Sequence, residues 1–408
     1  MEVQFMPSMS TGASITAPTM ESGQVLIRKR GVARIRGGHL WVYRSDILDV
    51  KDAEPGAIVA VRDERGATVG KAFYSSQSQI ALRFLVRGET NVDETFLRNR
   101  FADADRLREK LGVDRRLSRR IHSEGDFLPG LIVDRYGEYL VVQALTQGAD
   151  RLLPLFLAIL QERYQPKTIV LRNDSRVREL EGLALSQTWV GDPPPETVLV
   201  DEDGLEIQLS LTTGQKTGSY LDQRDNHRAA ARYAQGRALD GFCYGGGFAL
   251  HIAKVCESVE AVDLSASAVQ LAQANAQRNR LDNIRCLEAN VFDYLREQSA
   301  QRGRYDTIIL DPPAFARNRD SLEGAVRGYK EINNRAMRLL RNGGILVTCT
   351  CSHHVSEGLF AEVLAEAARD AGCWLRVLER RVQSPDHPFL MTVPETLYLK
   401  CFILEIRY

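Results

Sequence analysis

Apolar and polar positions follow two different grammars along this chain. From Gln24 onward, the stretch "QVLIRKRGVARIRGGHLWVYRSDI" and the runs "GAIVAVRD", "ATVGKAFYS" and "IALRFLV" read as short strands, with "ERG" as a turn between two of them. They predict a small all-β module over residues 24–95. The i, i+3, i+4 spacing of "ETFLRNRFADADRLREKLG" predicts a helix, and "LIVDRYGEYLVVQAL" a hairpin turning at Tyr136-Gly137. A helix from about Arg151 to Arg163, a strand "KTIVLRND" and a break at "GDPPPE" complete a central α/β region, 96–195. In the remaining segment, 196–408, strands and helices alternate from Ala238. Strands fall at "RALD", "SVEAVDLS", "NIRCLEANV", "YDTIILDPP" and "GGILVTCTCS", with amphipathic segments such as "ASAVQLAQANAQRNR" between them. This alternation predicts an α/β fold with a parallel sheet and helices on both faces. The last two strands, "CWLRVLERR" and "TLYLKCFILEIRY", are joined by "VQSPDHPFLMTVPE", too short and Pro-rich for a helical crossover, so they should pair antiparallel. Residues 1–23 show no period and read as a disordered leader, with Met20 as an alternative start.

Composition narrows the class. No apolar run approaches the roughly 20 residues needed to cross a bilayer, and the first residues lack the order of a secretory signal, so a cytoplasmic protein without a membrane partner is expected. Seven cysteines without a paired framework suit free thiols in a reducing compartment. With 53 basic and 53 acidic side chains the formal charge is zero, so a polyanion must be held by a local patch. Such a patch exists: Gln24 to Arg100 carries 14 Lys plus Arg against 9 Asp plus Glu. Arg28, Lys29, Arg30, Arg34 and Arg36 beside Trp41 and Tyr43 offer cations for phosphates and aromatic faces for unstacked bases.

The turn after the first strand of the alternating segment reads "LDGFCYGGGFAL". It is not a pyrophosphate cradle, because Cys243 and Leu250 stand where the G-x-G-x-x-G spacing needs glycine. Gly241, Gly245 and Gly247 still allow close approach of a ligand, and Asp263, ending the second strand, can accept both hydroxyls of a ribose. A ribose without a phosphate site points to S-adenosylmethionine. The ordered set of Asp240-Gly241-Phe242, Asp263, "ANVFD" with Asn290, and "DPPAF" predicts a methyltransferase over residues 238–352.

Two strand ends carry the candidate chemistry. Asp311-Pro312-Pro313 closes the fourth strand and Cys351 the fifth, and neighbouring strands lie about 4.8 Å apart, so both residues should share a pocket. Carbon 5 of cytosine is a poor nucleophile until a thiolate adds to carbon 6, which is the role expected of Cys351, with Asp311 bonding the base. Cys349 lies deeper, where packing is expected, and Cys349, Cys351, His353 and His354 are too crowded for a tetrahedral metal, so no metal is assigned. An exocyclic-amine methyltransferase using Asp311-Pro312-Pro313 alone, in which the following residue is Ala314 and the aromatic Phe315 comes one place late, is the alternative chemistry. A non-catalytic RNA-binding or ribosome-assembly factor is the alternative from another class.

These residues, together with "SEGDFLPGLIVDRYGEYLVVQ" and "TGQKTGSYLDQRDNHR", resemble the RlmI-like family of 23S rRNA cytosine-C5 methyltransferases over nearly everything after Gln24. The resemblance implies a PUA-like RNA-binding domain at the amino terminus and a class I methyltransferase fold at the carboxyl terminus. It places Cys351 at the catalytic cysteine, Tyr220 and Gln223 near the cofactor, and Lys216 and Arg224 with Arg34, Arg36 and Trp41 on the RNA. The implied partner is 23S rRNA or the assembling large subunit, and a homodimer is allowed. Two departures are visible: Ala314 stands where many RNA cytosine-C5 enzymes have a second cysteine, and Asn290 where an acidic residue usually faces adenine.

Overall fold

The computed structural model describes residues 20–299, 304–316 and 321–408. Most of the expected leader lies outside them, but Glu21–Ile27 already forms a strand. The chain divides into two compact units: one comprises residues up to Val198 with Ser210–Gly218 and Pro385–Thr396, the other Leu199–Leu209, Ser219–Ser384 and Leu397–Tyr408.

The first unit holds two sheets. The six-stranded sheet runs Trp41–Tyr43, Ile80–Arg87, Thr68–Tyr74, Ile58–Arg62, Glu21–Ile27, Ile47–Lys51. All its pairings are antiparallel except Glu21–Ile27 with Ile58–Arg62. The all-β expectation for this module needs one correction: Lys29–Arg36 is a helix. Val32 and Ile35, three apart, bury one face while Arg28, Lys29, Arg30 and Arg36 stay exposed. Arg34 and Arg36 sit in the last turn, where the helix dipole favours cations.

The five-stranded sheet runs Ser186–Gly191, Thr168–Asn173, Tyr139–Ala144, Leu131–Tyr136, Leu117–His122, with helices Glu94–Lys110 and Leu153–Tyr164 supplying buried Leu97, Phe101, Phe156 and Ile159. Arg108, wholly buried, pairs with both carboxylate oxygens of Asp126 and donates to the carbonyl of Asp386 at 2.6 Å, while the Arg119 amide donates to Asp386 Oδ2 at 2.8 Å. A residue 278 positions away thus completes the hydrogen bonding of this unit.

The second unit is built on a seven-stranded sheet in the order Ile284–Glu288, Ser258–Asp263, Arg237–Gly241, Tyr305–Leu310, Leu340–Thr350, Lys400–Arg407, Trp374–Arg381. The first five are parallel and the last two antiparallel, as the alternating pattern predicted. Strand order reverses at Arg237–Gly241, whose neighbours are the strands Ser258–Asp263 and Tyr305–Leu310. In an open α/β sheet the crevice beyond the carboxyl ends at such a reversal is the ligand site. No helix among the described residues is long and apolar enough to cross a membrane.

Candidate active site

The loop Gly241–Gly247 is held open by its own backbone. The amides of Phe242 and Cys243 both donate to the Val262 carbonyl, at 2.9 and 3.1 Å, which curls the chain over the neighbouring strand. Phe242, Tyr244 and Gly246 have φ of 66°, 46° and 88°, and the two non-glycine left-handed residues store strain that the surrounding bonds must hold. Asp263 does part of this, accepting from the Tyr244 amide at 3.0 Å and from the Ser265 amide at 2.9 Å. A Cβ at Gly245 would lie 3.1 Å from Leu271 Cδ2, and one at Gly247 2.6 Å from His227 Cε1.

Asp240 lies beneath the loop, 1% exposed, with Oδ2 accepting from the Ala249 amide at 2.9 Å. Its Oδ1 has no hydrogen-bond partner among the described residues. Burial, with the carboxylates of Asp311 and Asp263 nearby, pushes Asp240 well above the usual carboxylate range. Asn290 is exposed and caps the helix Val291–Gln298, accepting from the Phe292 amide at 2.9 Å.

The other half of the site forms where two parallel strands end side by side, with Leu310 opposite Thr348. Asp311 and Cys351, both half-buried, follow these strands. A chain of hydroxyls fixes the backbone around Cys351. Thr350 Oγ1 donates to Tyr329 Oη at 2.8 Å, Tyr329 Oη and Ser352 Oγ share a proton at 3.0 Å, and the Ala316 amide donates to Ser352 Oγ at 3.3 Å. The residues on either side of the thiol are fully buried, and one of them ties the fifth strand to the Asp-Pro-Pro loop. Tyr220 belongs to the same neighbourhood: its phenol is pushed up by burial and then by Asp311, Tyr244, Asp222 and Cys351.

Lys400, absent from the expected site, lies here too. It is 4% exposed, pairs in register with Thr350, and its Nζ donates to the carbonyls of Ser352 at 3.2 Å and Tyr398 at 3.3 Å. Burial lowers its pKa and the charge of Cys351 opposes that shift. Its one signal in the sequence is a lysine within the apolar run "LYLKCFILEI". Cys349 is wholly buried beside Cys401 on the partner strand, and burial with that second thiol raises it well above a normal thiol. Gln223 is buried against Cys349 and accepts from Asn226 Nδ2 at 2.6 Å. Arg224 is also buried. Phe315 packs on Tyr329, ring centres 4.6 Å apart, and on Phe292 at 5.7 Å.

The remaining RNA candidates belong to the first unit. Arg36 is exposed on the helix, while the Arg34 guanidinium stacks 4.7 Å from the Tyr43 ring centre. Trp41 is engaged internally, with Nε1 donating to Glu124 at 2.9 Å and Arg83 5.5 Å from its ring centre. Lys216 is exposed, in a left-handed turn at φ 53°.

Residues 155–402 match the family model of S-adenosylmethionine-dependent methyltransferases, and residues 25–87 that of PUA-like domains. Ribosomal RNA large subunit methyltransferase I of Tolumonas auensis is 40% identical over 90% of this chain and 95% of its own. The protein of the same name from Photobacterium profundum is 39% identical over 91% and 96%. The chain belongs to this methyltransferase family. Among solved structures, SMU.776 complexed with SAH superposes with a TM-score of 0.81 at 19% identity, covering 94% of this chain and 99% of that one. A Streptococcus mutans structure gives 0.79 at 18% identity, and both likenesses concern the fold alone.

This methyltransferase uses S-adenosylmethionine, and the residues at the sheet edge fit that cofactor. It carries a sulfonium and an ammonium, and the crevice gathers the acidic side chains of Asp263 and Asp311 above the buried Asp240, whose Oδ1 lacks a partner among the described residues. Asp263, at the second strand's end, would take the ribose, and Gly241, Gly245 and Gly247 give the backbone room to approach.

Proposed function

We propose that this enzyme methylates carbon 5 of a cytidine in 23S ribosomal RNA, through a covalent adduct between Cys351 Sγ and carbon 6 of the base. The observation that carries the reading is the half-buried thiol held between two fully buried, hydroxyl-clamped residues, with Lys400, Tyr220 and Asp311 gathered about it. The name of its relatives supplies the class of substrate.

The steps follow from the positions of these groups. The Lys400 ammonium, held by the Ser352 carbonyl, favours the thiolate of Cys351. Addition of the thiolate to carbon 6 pushes an electron pair toward the base, where a proton shared between Asp311 and N3 neutralises it. Bound S-adenosylmethionine supplies the methyl group as an electrophile. Transfer of the carbon-5 proton to water then expels Cys351 as the thiolate, the N3 proton returns to Asp311, and the ring is restored. The Phe315 ring packs on Tyr329 and Phe292, and it comes one place later than the aromatic that amine methylation needs after the prolines, which favours the carbon-5 reading.

Arg36, Arg28, Lys29 and Arg30, on the exposed side of the helix Lys29–Arg36 and its entry, would hold RNA phosphates in the cytoplasm, on naked RNA or an assembling large subunit. Nucleoside mass spectrometry of ribosomal RNA from cells lacking the protein, with wild type or Cys351→Ala restored, tests the reading. Loss of one 5-methylcytidine that only wild type restores is expected. Loss of a methylated adenine or guanine instead, with 5-methylcytidine unchanged, would show that the amine is the target. A protein-RNA adduct on 5-fluorocytidine RNA should form with wild type and not with the variant.

A further inference from the structure

Away from the cysteine edge, the second unit brings together three potential metal ligands that no motif joins in the sequence. Glu202 ends the strand Val198–Glu202, His227 lies on the helix Arg224–Tyr233, and His251 on the helix Gly247–Ala253. All three are buried, and one ligand atom of each lies within 4.8 Å of the others. Their Nδ1, Oε1 and Nε2 atoms are 2.8 Å apart for His227 and Glu202, and 3.8 Å apart for His251 and Glu202. Asp203, next along the chain, brings Oδ2 to 3.6 Å from His251 Nε2.

The tautomer of His251 decides what such a cluster is for. Its Nδ1 lies 2.8 Å from the carbonyl of Gly247, and a carbonyl only accepts, so Nδ1 carries the hydrogen. The other ring nitrogen, Nε2, is buried, has no hydrogen-bond partner among the described residues, and faces the carboxylates of Glu202 at 3.8 Å and Asp203 at 3.6 Å. Two carboxylates, one buried and one at the exposed Asp203, converging on that nitrogen leave a place for a positive centre between them. Fixing the ring through the other nitrogen is also how metal-bound histidines are oriented.

We infer that Glu202, His227 and His251, with Asp203 completing the set, form a structural site for a zinc-class divalent cation. A tetrahedral ion with bonds of about 2.0–2.1 Å sets its ligands roughly 3.3–3.4 Å apart. The 2.8, 3.6 and 3.8 Å separations straddle that value, and the ligand atoms of Glu202, His227 and His251, all within 4.8 Å of one another, would draw in around the ion. Two imidazoles favour zinc over magnesium or calcium, which prefer all-oxygen shells. Two carboxylates with two neutral imidazoles match a dication, beside which stand the buried Arg224 and also Arg228, whose Nε is 3.4 Å from Asp203 Oδ2 and which faces solvent in part. On loading, the ion takes the place between His227 Nδ1 and Glu202, and the hydrogen of His227 moves to Nε2, so the ring stays neutral. The site would pin the hairpin Val198–Glu202 and Leu205–Leu209, together with the helix Arg224–Tyr233, to the helix that opens with Gly247 of the cofactor loop.

The rival is an imidazolium of His251 held by Glu202 and Asp203, with no metal. Untagged full-length protein, purified without chelator, separates the two. Elemental analysis should give about one zinc per chain. After chelation, cobalt(II) should restore the visible bands of a tetrahedral complex, and zinc should raise the unfolding temperature. His251→Gln and Glu202→Gln should each weaken zinc binding about tenfold or more. Zinc far below stoichiometry, no cobalt bands and no thermal shift in wild type would overturn the inference, even if both variants fail to fold. Metal content is read independently of methyl transfer, so the result stands whichever base is modified.

Discussion

The cysteine edge of the catalytic sheet and the basic helix of the PUA-like module both rely on positive charge, but they place it in opposite surroundings. Lys400 is buried, with its ammonium tied to two carbonyls beside the thiol. Arg36, Lys29 and Arg30 stand in water on a helix whose other face carries Val32 and Ile35 into the core. A charge in a dry, fixed site acts strongly on one neighbour, whereas exposed charges are screened within about 8–10 Å and act additively. Substitutions at the edge should therefore be all or nothing, and those on the helix graded and salt-dependent.

The largest expected effect is that of Cys351→Ala. Turnover should fall about 1000-fold or more, while stability in urea changes by less than about 1 kcal/mol, because the thiol is half-buried and the change is a small truncation. Near-normal turnover would dissolve the contrast at its root. Lys400→Met should come next, with kcat reduced about 10- to 100-fold. Removing the cation raises the thiol pKa, so the rising limb of the pH profile should move to higher pH. An unmoved profile would make Lys400 a packing residue. Arg34→Glu with Arg36→Glu should leave kcat intact and weaken RNA binding several-fold, with the dependence of log K on log salt shallower by about two. A salt-independent loss would mean that this helix supports the module and does not grip RNA.

The smallest effect sharpens the picture of buried charge. Asp240 is raised well above its ordinary pKa by burial, so the folded protein holds the proton more tightly than the unfolded chain does. Stability from this group is full below the unfolded pKa and is lost as pH rises toward the folded one. Asp240→Asn removes that dependence, so in thermal unfolding the variant should gain on wild type as pH rises from about 4 to 8. A constant difference across that range would show that the proton is not held.

Much of this was legible before any coordinates. Strand-helix alternation gave the parallel sheet, and the short Pro-rich linker gave its antiparallel edge, because period and connection length are local properties. The adjacency of Asp311 and Cys351 followed from strand order. Four things stay hidden. The helix Lys29–Arg36 hides in a strand-like stretch because two apolar residues three apart, Val32 and Ile35, are a faint signal among so many arginines. Trp41 looked available for a base, yet its indole bonds Glu124. Lys400 and the Glu202, His227 and His251 cluster depend on side chains meeting from separate elements, which no spacing along the chain encodes.

Arg108 has a consequence for the order of events during synthesis. Its guanidinium is completely buried and one of its acceptors is the carbonyl of Asp386, 278 residues later. As the chain leaves the ribosome, the amino-terminal unit can collapse around its own strands, but its polar interior stays unfinished until almost the last residues emerge. The catalytic segment is made in between. Losing the final few dozen residues would therefore damage the half of the molecule that was translated first.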